Sequence, residues 1–350
     1  MALSLLSSWG EEFCVILCRI IPLCSKRVKF AERKKYMESP KPAVLLQGNT
    51  SLELARLPNL ITVAADVLAG YWIANGVQID SSLLWLLLAT SAVYVAGCAL
   101  NDYCDRAVDR RERPGLPIPG GRWEPWETLI LSLALFTVGL GASTLAGGSA
   151  PHIMILLIFL TVLYNVGTKE KPYLGPLNLA GYRALNLILG MGLPFWLEPS
   201  GLPSRYFPVL TFLYVFLLNW VSRFEAAGKA KEITAVAFLG WAHFVAILLC
   251  LSFCPAVSLE NLPFLALFVA LTGPALLNAG RLQTVFSAGG ALKMMVLGIP
   301  LLDAVYCSAV RGFAAGLPVA LCTVLASVLA ISKKVACDLN RKSSWETELF

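Results

Sequence analysis

The feature that most constrains this chain is a repeat: stretches of about twenty apolar residues, the length that crosses a bilayer, separated by short gaps rich in Gly, Pro and Ser. They run approximately over residues 54–76, 82–104, 126–147, 151–168, 177–197, 207–227, 232–254, 260–280, 289–311 and 314–333. In the hydrocarbon core of a membrane the backbone must satisfy its own hydrogen bonds, and for runs of this length that means helix. The chain is therefore expected to be all-α, a polytopic transmembrane helix bundle of nine or ten spans around a central cavity. Composition agrees, with 57% hydrophobic and 14% charged residues, too apolar for an ordinary soluble domain. Gaps such as Gly147-Gly148-Ser149-Ala150-Pro151 are too short to separate domains. Residues 51–335 are read as one bundle, 1–50 as an amino-terminal cytosolic or interfacial segment, and 336–350 as a polar tail.

Charge gives the bundle an orientation. Most of the 28 Lys and Arg residues lie in the amino-terminal segment, the even-numbered connections and the carboxyl tail. The opposite side keeps Arg205 and Arg311, and Arg183 falls inside a span. The positive-inside rule then puts both termini and the loop after residue 109 on the cytosolic side, or its equivalent in an organelle. The net charge of +6 reflects this topology together with attraction for phosphate, and nucleic acid is not an expected partner. The ten cysteines are mostly scattered singly within apolar runs, and neither pair spaced i, i+4, Cys14 with Cys18 or Cys250 with Cys254, makes a metal-ligand set with a histidine neighbour. The two histidines, His152 and His243, are far apart, which argues against a zinc enzyme and a histidine-dependent triad.

The chemistry concentrates at the end of the second run, in Asn101-Asp102-Tyr103-Cys104-Asp105-Arg106-Ala107-Val108-Asp109. On a helix, Asp102, Asp105 and Asp109 fall within about 60° of one another, and Asn101 widens the arc to roughly 100°. Three like charges on one face repel unless a cation neutralises them. Hard carboxylate and amide oxygens suit Mg2+, which is readily shared with a substrate's phosphates. Arg106, Arg110, Arg111, Arg113 and Arg122 follow among Pro114, Pro117, Pro119, Gly115, Gly120 and Gly121. Guanidinium forks match phosphate oxygens, so Arg106 and Arg113 are candidate substrate-binding residues with Asn101. Arg183 needs a partner within its span, either an acid or a ligand phosphate. Asp66, seven residues after Asn59 and on the same helix face, is either a site residue or a paired structural acid; Asp303 is read as structural.

The block from Asn101 to Asp109, followed by Arg113-Pro114 and Pro117-Ile118-Pro119-Gly120-Gly121, resembles the N-D-x-x-D-x-x-x-D motif and its continuation in the UbiA superfamily of membrane prenyltransferases. Leu116 and Gly120 depart from that continuation, where the family has arginine and serine. The resemblance implies that Asp102, Asp105 and Asp109 hold Mg2+ and that Asn59 lines a diphosphate pocket. Tyr164 to Lys169 is similar to the family's Tyr-x-x-x-Lys stretch, with the lysine displaced by one; Lys169 is either a phosphate partner or a topology-setting charge. Where the family has a second Asp-x-x-x-Asp, this chain has Glu225 and Lys229, with Arg223 beside them. Glu225 then stands as a metal ligand, with Arg223 and Lys229 on phosphate. The catalytic set expected is Asp102, Asp105, Lys169 and Glu225. The resemblance implies Mg-dependent transfer of a prenyl group from an allylic prenyl diphosphate to a lipophilic or aromatic acceptor within the lipid bilayer. The incomplete second motif leaves a noncatalytic lipid or metabolite carrier as the alternative.

Overall fold

A computed structural model describes residues 56–197, 203–225, 230–254, 257–282 and 292–347, with 221–225, 230–236, 278–282 and 333–347 described by backbone alone. The expected amino-terminal segment lies outside the described residues. Among the described residues the helices follow in the order α1 (Leu57–Asn75), α2 (Ser81–Glu112), α3 (Pro125–Ala146), α4 (Ala150–Leu163), α5 (Leu174–Met191), the short α6 (Leu193–Leu197), α7 (Phe207–Glu225), α8 (Ala230–Ser252), α9 (Leu262–Leu282), α10 (Ile299–Arg311) and α11 (Phe313–Thr347), with a further helical stretch over 292–297 before α10. Among the described residues, each of the ten expected apolar runs is mainly helical. Seven helical stretches among the described residues are long and apolar enough to cross a membrane. α5 falls short because Asn178, Arg183 and Asn186 interrupt its apolar sequence, and all three are buried. The run over 289–311 is broken at Gly298, and the run over 82–104 continues as helix to Glu112.

Local chemistry sets the helix ends. Asp80 caps α2 by accepting the Leu83 N–H at 2.9 Å, the preference expected of a residue whose side chain replaces the missing helical acceptor. Glu124 and Glu127 form a reciprocal capping box at the start of α3, with Pro125 in the first turn. At the end of α1, the Arg311 guanidinium donates to the carbonyls of Trp72 (3.1 Å), Ile73 (2.8 Å) and Ala74 (3.0 Å). The Ile73 and Ala74 carbonyls are ones a helix C-terminus leaves unpaired, and the Trp72 carbonyl also accepts the Gly76 N–H, so one arginine joins α1 to α10 on the face opposite the acid-rich end.

The interior is built by close approach. α1 and α5 cross backbone to backbone at Gly70 and Gly190: a Cβ on Gly190 would sit 2.8 Å from the Tyr71 nitrogen, and one on Gly70 would lie 3.0 Å from the Met191 nitrogen. Small residues at such a crossing let two membrane helices pack tightly where no hydrophobic drive separates helix from lipid. Farther along, Tyr214, Phe244 and Phe268 cluster with ring centroids 5.3 to 6.2 Å apart, and Phe207 stacks on Tyr306 at 4.5 Å. The outward face of α11 exposes Leu317, Leu321, Val324, Leu325, Val328 and Ile331. An apolar stripe of that extent belongs against lipid.

Candidate functional site

α2 is the scaffold of the site. Its 32 residues rise about 48 Å, well beyond a hydrocarbon core of about 30 Å, so its last turns carry Asp102, Asp105 and Asp109 to the end of the bundle. Two other segments meet that end. Arg56, just before α1, donates to Asn101 and to Asp102, each at 3.0 Å. It adopts a left-handed backbone (φ 43°), a conformation costing a non-glycine residue on the order of 1–2 kcal/mol; such strain is concentrated at functional sites. Asn101 in turn donates to the Asn165 side chain at 3.0 Å, and Lys169 pairs with Asp105.

Both Asn165 and Lys169 come from the end of α4, which continues as a π-helical turn over Tyr164–Thr168. In that turn the Lys169 N–H bonds to the Tyr164 carbonyl at 3.0 Å, five residues back. A π turn absorbs one extra residue into a helix. The lysine that looks displaced by one in sequence therefore points to the acid face as a residue four after the tyrosine would on an ordinary helix.

Partial enclosure sharpens the electrostatics. The side chains of Asp102 and Asp105 are 14% and 22% exposed, against 46% and 26% for Arg56 and Lys169. Burial, reinforced by the Asp105 carboxylate, pushes the Asp109 carboxyl above the ordinary carboxylate range, against the pull of Arg113 and Lys169. An additional cation near Asp109 would reverse that push. After α2 the Pro/Gly segment folds on itself, with Gly120 N–H bonded to the Leu116 carbonyl at 2.8 Å and Arg122 to the Gly115 carbonyl at 2.8 Å. Pro117 and Ile118 are buried beneath it.

The other expected residues divide. Arg106 lies over the Tyr103 ring at 4.3 Å and donates to the Tyr103 carbonyl at 2.6 Å. Arg113 is exposed and closes α2 through its N–H to the Asp109 carbonyl at 2.7 Å. Asn59 is exposed one turn into α1. Arg223 and Glu225 belong to the last turn of α7, but their side chains, and Lys229 altogether, lie outside the described residues. Arg183 is not at the acid-rich end. It is buried inside the bundle, 3.1 Å from Asp66, and donates to the Thr62 carbonyl at 3.0 Å. Asn186 donates to Asp66 at 3.3 Å and to the Val63 carbonyl at 2.7 Å, while accepting from Thr90 at 2.6 Å. The partner its burial demands is thus Asp66 of the protein itself. Two contributors escaped the sequence reading, Arg56 and Asn165. The signal for Arg56 was present in Arg56-Leu57-Pro58-Asn59, a cation at the same end as Asp102; nothing in sequence singles out Asn165.

Fold and acid face together define an integral, multi-pass membrane protein with its ionisable groups gathered at one end of the bundle. Residues 63–295 match the UbiA prenyltransferase family, and the chain belongs to that family. It is 30% identical over 189 residues to the digeranylgeranylglyceryl phosphate synthase of Methanopyrus kandleri, a match covering 54% of this chain and 66% of that protein. The chain spans between about half and two thirds of the length of this and similar curated relatives. A solved structure of digeranylgeranylglyceryl phosphate synthase shares the fold with a TM-score of 0.56 at 19% identity, over 75% of this chain and 97% of that one. A UbiA homolog from Archaeoglobus fulgidus, solved bound to DMAPP and Mg2+, aligns with a TM-score of 0.45 at 13% identity, over 78% of this chain and 99% of that one.

Proposed function

We propose that this protein transfers a prenyl group from an allylic prenyl diphosphate to a lipophilic or aromatic acceptor within the membrane, with Mg2+ at the acid face of α2. The observation that carries the reading is the convergence of Arg56, Asn101, Asp102, Asp105 and Lys169 from three separate segments. Family membership supports it. The name carried by the relatives makes a glyceryl phosphate lipid the first acceptor to test. The bundle over 51–335 is proposed as the transferase unit, with its acid face toward the cytosolic side.

The donor set fits the metal. Asp102, Asp105, Asp109 and Asn101 offer hard oxygens, and Mg2+ usually takes one or two carboxylates together with phosphate oxygens and water. Among the described residues, no three His, Cys, Asp or Glu side chains are gathered around a single point. Arg56 and Lys169 now hold Asp102 and Asp105, positions a divalent ion would share. When bound, Mg2+ supplies neutralisation of the leaving diphosphate; Glu225 is proposed as a further ligand.

The remaining work falls to the chain's own cations. In transfer, the allylic carbon–oxygen bond breaks with its electron pair leaving on the diphosphate, a bond forms from the acceptor to that carbon, and the acceptor loses a proton. Negative charge develops on the diphosphate as its ester bond breaks. Arg56 and Lys169, freed from Asp102 and Asp105, bind that charge, with Arg113, Arg223 and Lys229 proposed as additional partners. Such fixed charges stabilise the transition state with little reorganisation. Asn101 and Asn165 hold the helix ends in register. Apolar walls exclude water from the reactive allyl group.

The test is diphosphate release by the purified protein in proteoliposomes given Mg2+, an allylic prenyl diphosphate and a glyceryl phosphate lipid or aromatic acceptor. Asp102→Ala and Asp105→Ala should be silent. Equal release by both variants and the parent would sink the reading, and lipid flux without diphosphate release would point to a carrier.

A further inference from the structure

A second group of ionisable side chains lies far from the acid face. Asp66 on α1, Arg183 on α5 and Asp303 on α10 are enclosed within the bundle, at 0%, 7% and 0% exposure. They sit about 15 Å along α1 from Arg56, and Thr90 of the same network is about 18 Å along α2 from Asp102.

Although its Oδ1 receives no hydrogen bond, Asp66 is paired, with Arg183 at 3.1 Å and with Asn186, which donates to Oδ2, at 3.3 Å. Asp303 is not. Neither of its oxygens receives a hydrogen bond, yet its carboxyl group lies against that of Asp66. Two ionised carboxylates offer one another only acceptors, so this contact becomes a hydrogen bond when one of them carries a proton. Charge counting agrees. Two acids and one guanidinium, all ionised, leave one negative charge without compensation where water is excluded. The other titratable groups facing the pair are Tyr306 and Cys307 on α10, Cys322 on α11 and Tyr182 on α5. None of them brings a positive charge.

We propose that Asp66 and Asp303 form an intramembrane proton-binding site, in which Asp303 keeps one proton, donates it to Asp66, and leaves Arg183 to balance the single remaining charge. The ligand is a proton, and the site is independent of the transfer chemistry proposed above.

Infrared spectroscopy of the full-length protein in ester-free detergent, at about pH 8 where exposed carboxyls are ionised, reads the site directly. A carbonyl band from one carboxylic-acid group per chain is expected in the parent. Asp303→Asn should abolish the band with no shift in melting temperature, because its amide N–H replaces the acid as donor to Asp66. Arg183→Gln should double it, since both acids must then be neutral. Absence of the band in the parent overturns the proposal whether or not the variants fold. So does a band that sodium removes, which marks a sodium site, or one that survives Asp303→Asn.

Discussion

The acid face of α2 and the enclosed group around Asp66 use the same functional groups in opposite ways. In each, carboxylates meet basic side chains from other helices. At the end of the bundle those pairs are partly exposed and made with long side chains, Arg56 and Lys169. Exposed pairs of this kind are individually weak, about 0–1 kcal/mol, so their cations are available to a competing anion. Around Asp66 the partners are sealed, and Arg183 is buried between Asp66 and the Thr62 carbonyl. A weak pair can exchange partners during function, whereas a sealed pair holds helices together.

Breaking the sealed group should do the most damage. Replacing both acids, Asp66→Ala with Asp303→Ala, leaves Arg183 buried without a counter-charge and is expected to cost about 3–5 kcal/mol of stability, read as a fall in melting temperature in detergent. Asp303→Asn, under the proton-sharing proposal, should cost almost none of it. At the acid face the expectation inverts: Asp102→Asn should fold like the parent but lose on the order of 10²–10³-fold in turnover, and a chelator should silence the parent in the same assay. Equal losses of stability at Asp66 and Asp102 would erase the distinction between the two regions.

Smaller changes sharpen it. Lys169→Ala removes the charged hydrogen bond proposed to the departing diphosphate, worth about 1.5–3 kcal/mol, and should lower turnover roughly tenfold to a hundredfold. Deleting Gly167 should convert the π turn into an ordinary helical turn, keep Lys169 on Asp105, and cost turnover far less than Lys169→Ala. A deletion as damaging as the alanine would refute the account of the displaced lysine. The smallest expected effect is at Asp80, on the opposite face. Its bond from the Leu83 N–H, together with one from Tyr71, holds its carboxyl below the ordinary value. A carboxylate with a depressed folded value stabilises above its unfolded pKa of about 3.9, and the benefit is lost as pH falls through the folded value. The parent's melting temperature should therefore drop more steeply with acid than that of Asp80→Ala.

Much of the architecture was legible because a bilayer is a severe solvent. Ten apolar runs became helices, and Asp102, Asp105 and Asp109 share one face of α2 because helical periodicity admits no other arrangement. Arg183 was recognisable as a residue in need of a partner. Which partner it has was not legible, since Asp66 and Asp303 lie 117 residues or more away in sequence and only helix packing brings them within reach. Asn165 escaped for the same reason, whereas the signal for Arg56 was present in its place before Leu57-Pro58-Asn59.

What the sequence determined by itself was the solvent of the fold, the helical spans and the acid face, all consequences of local spacing and of the cost of bare backbone in lipid. The tertiary structure decided which acids face exchangeable cations and which are sealed. It also decided that a one-residue shift in the lysine stretch is absorbed by a π turn. Those outcomes depend on how helices cross, as at Gly70 and Gly190, and crossing is set by contacts between residues distant in the chain.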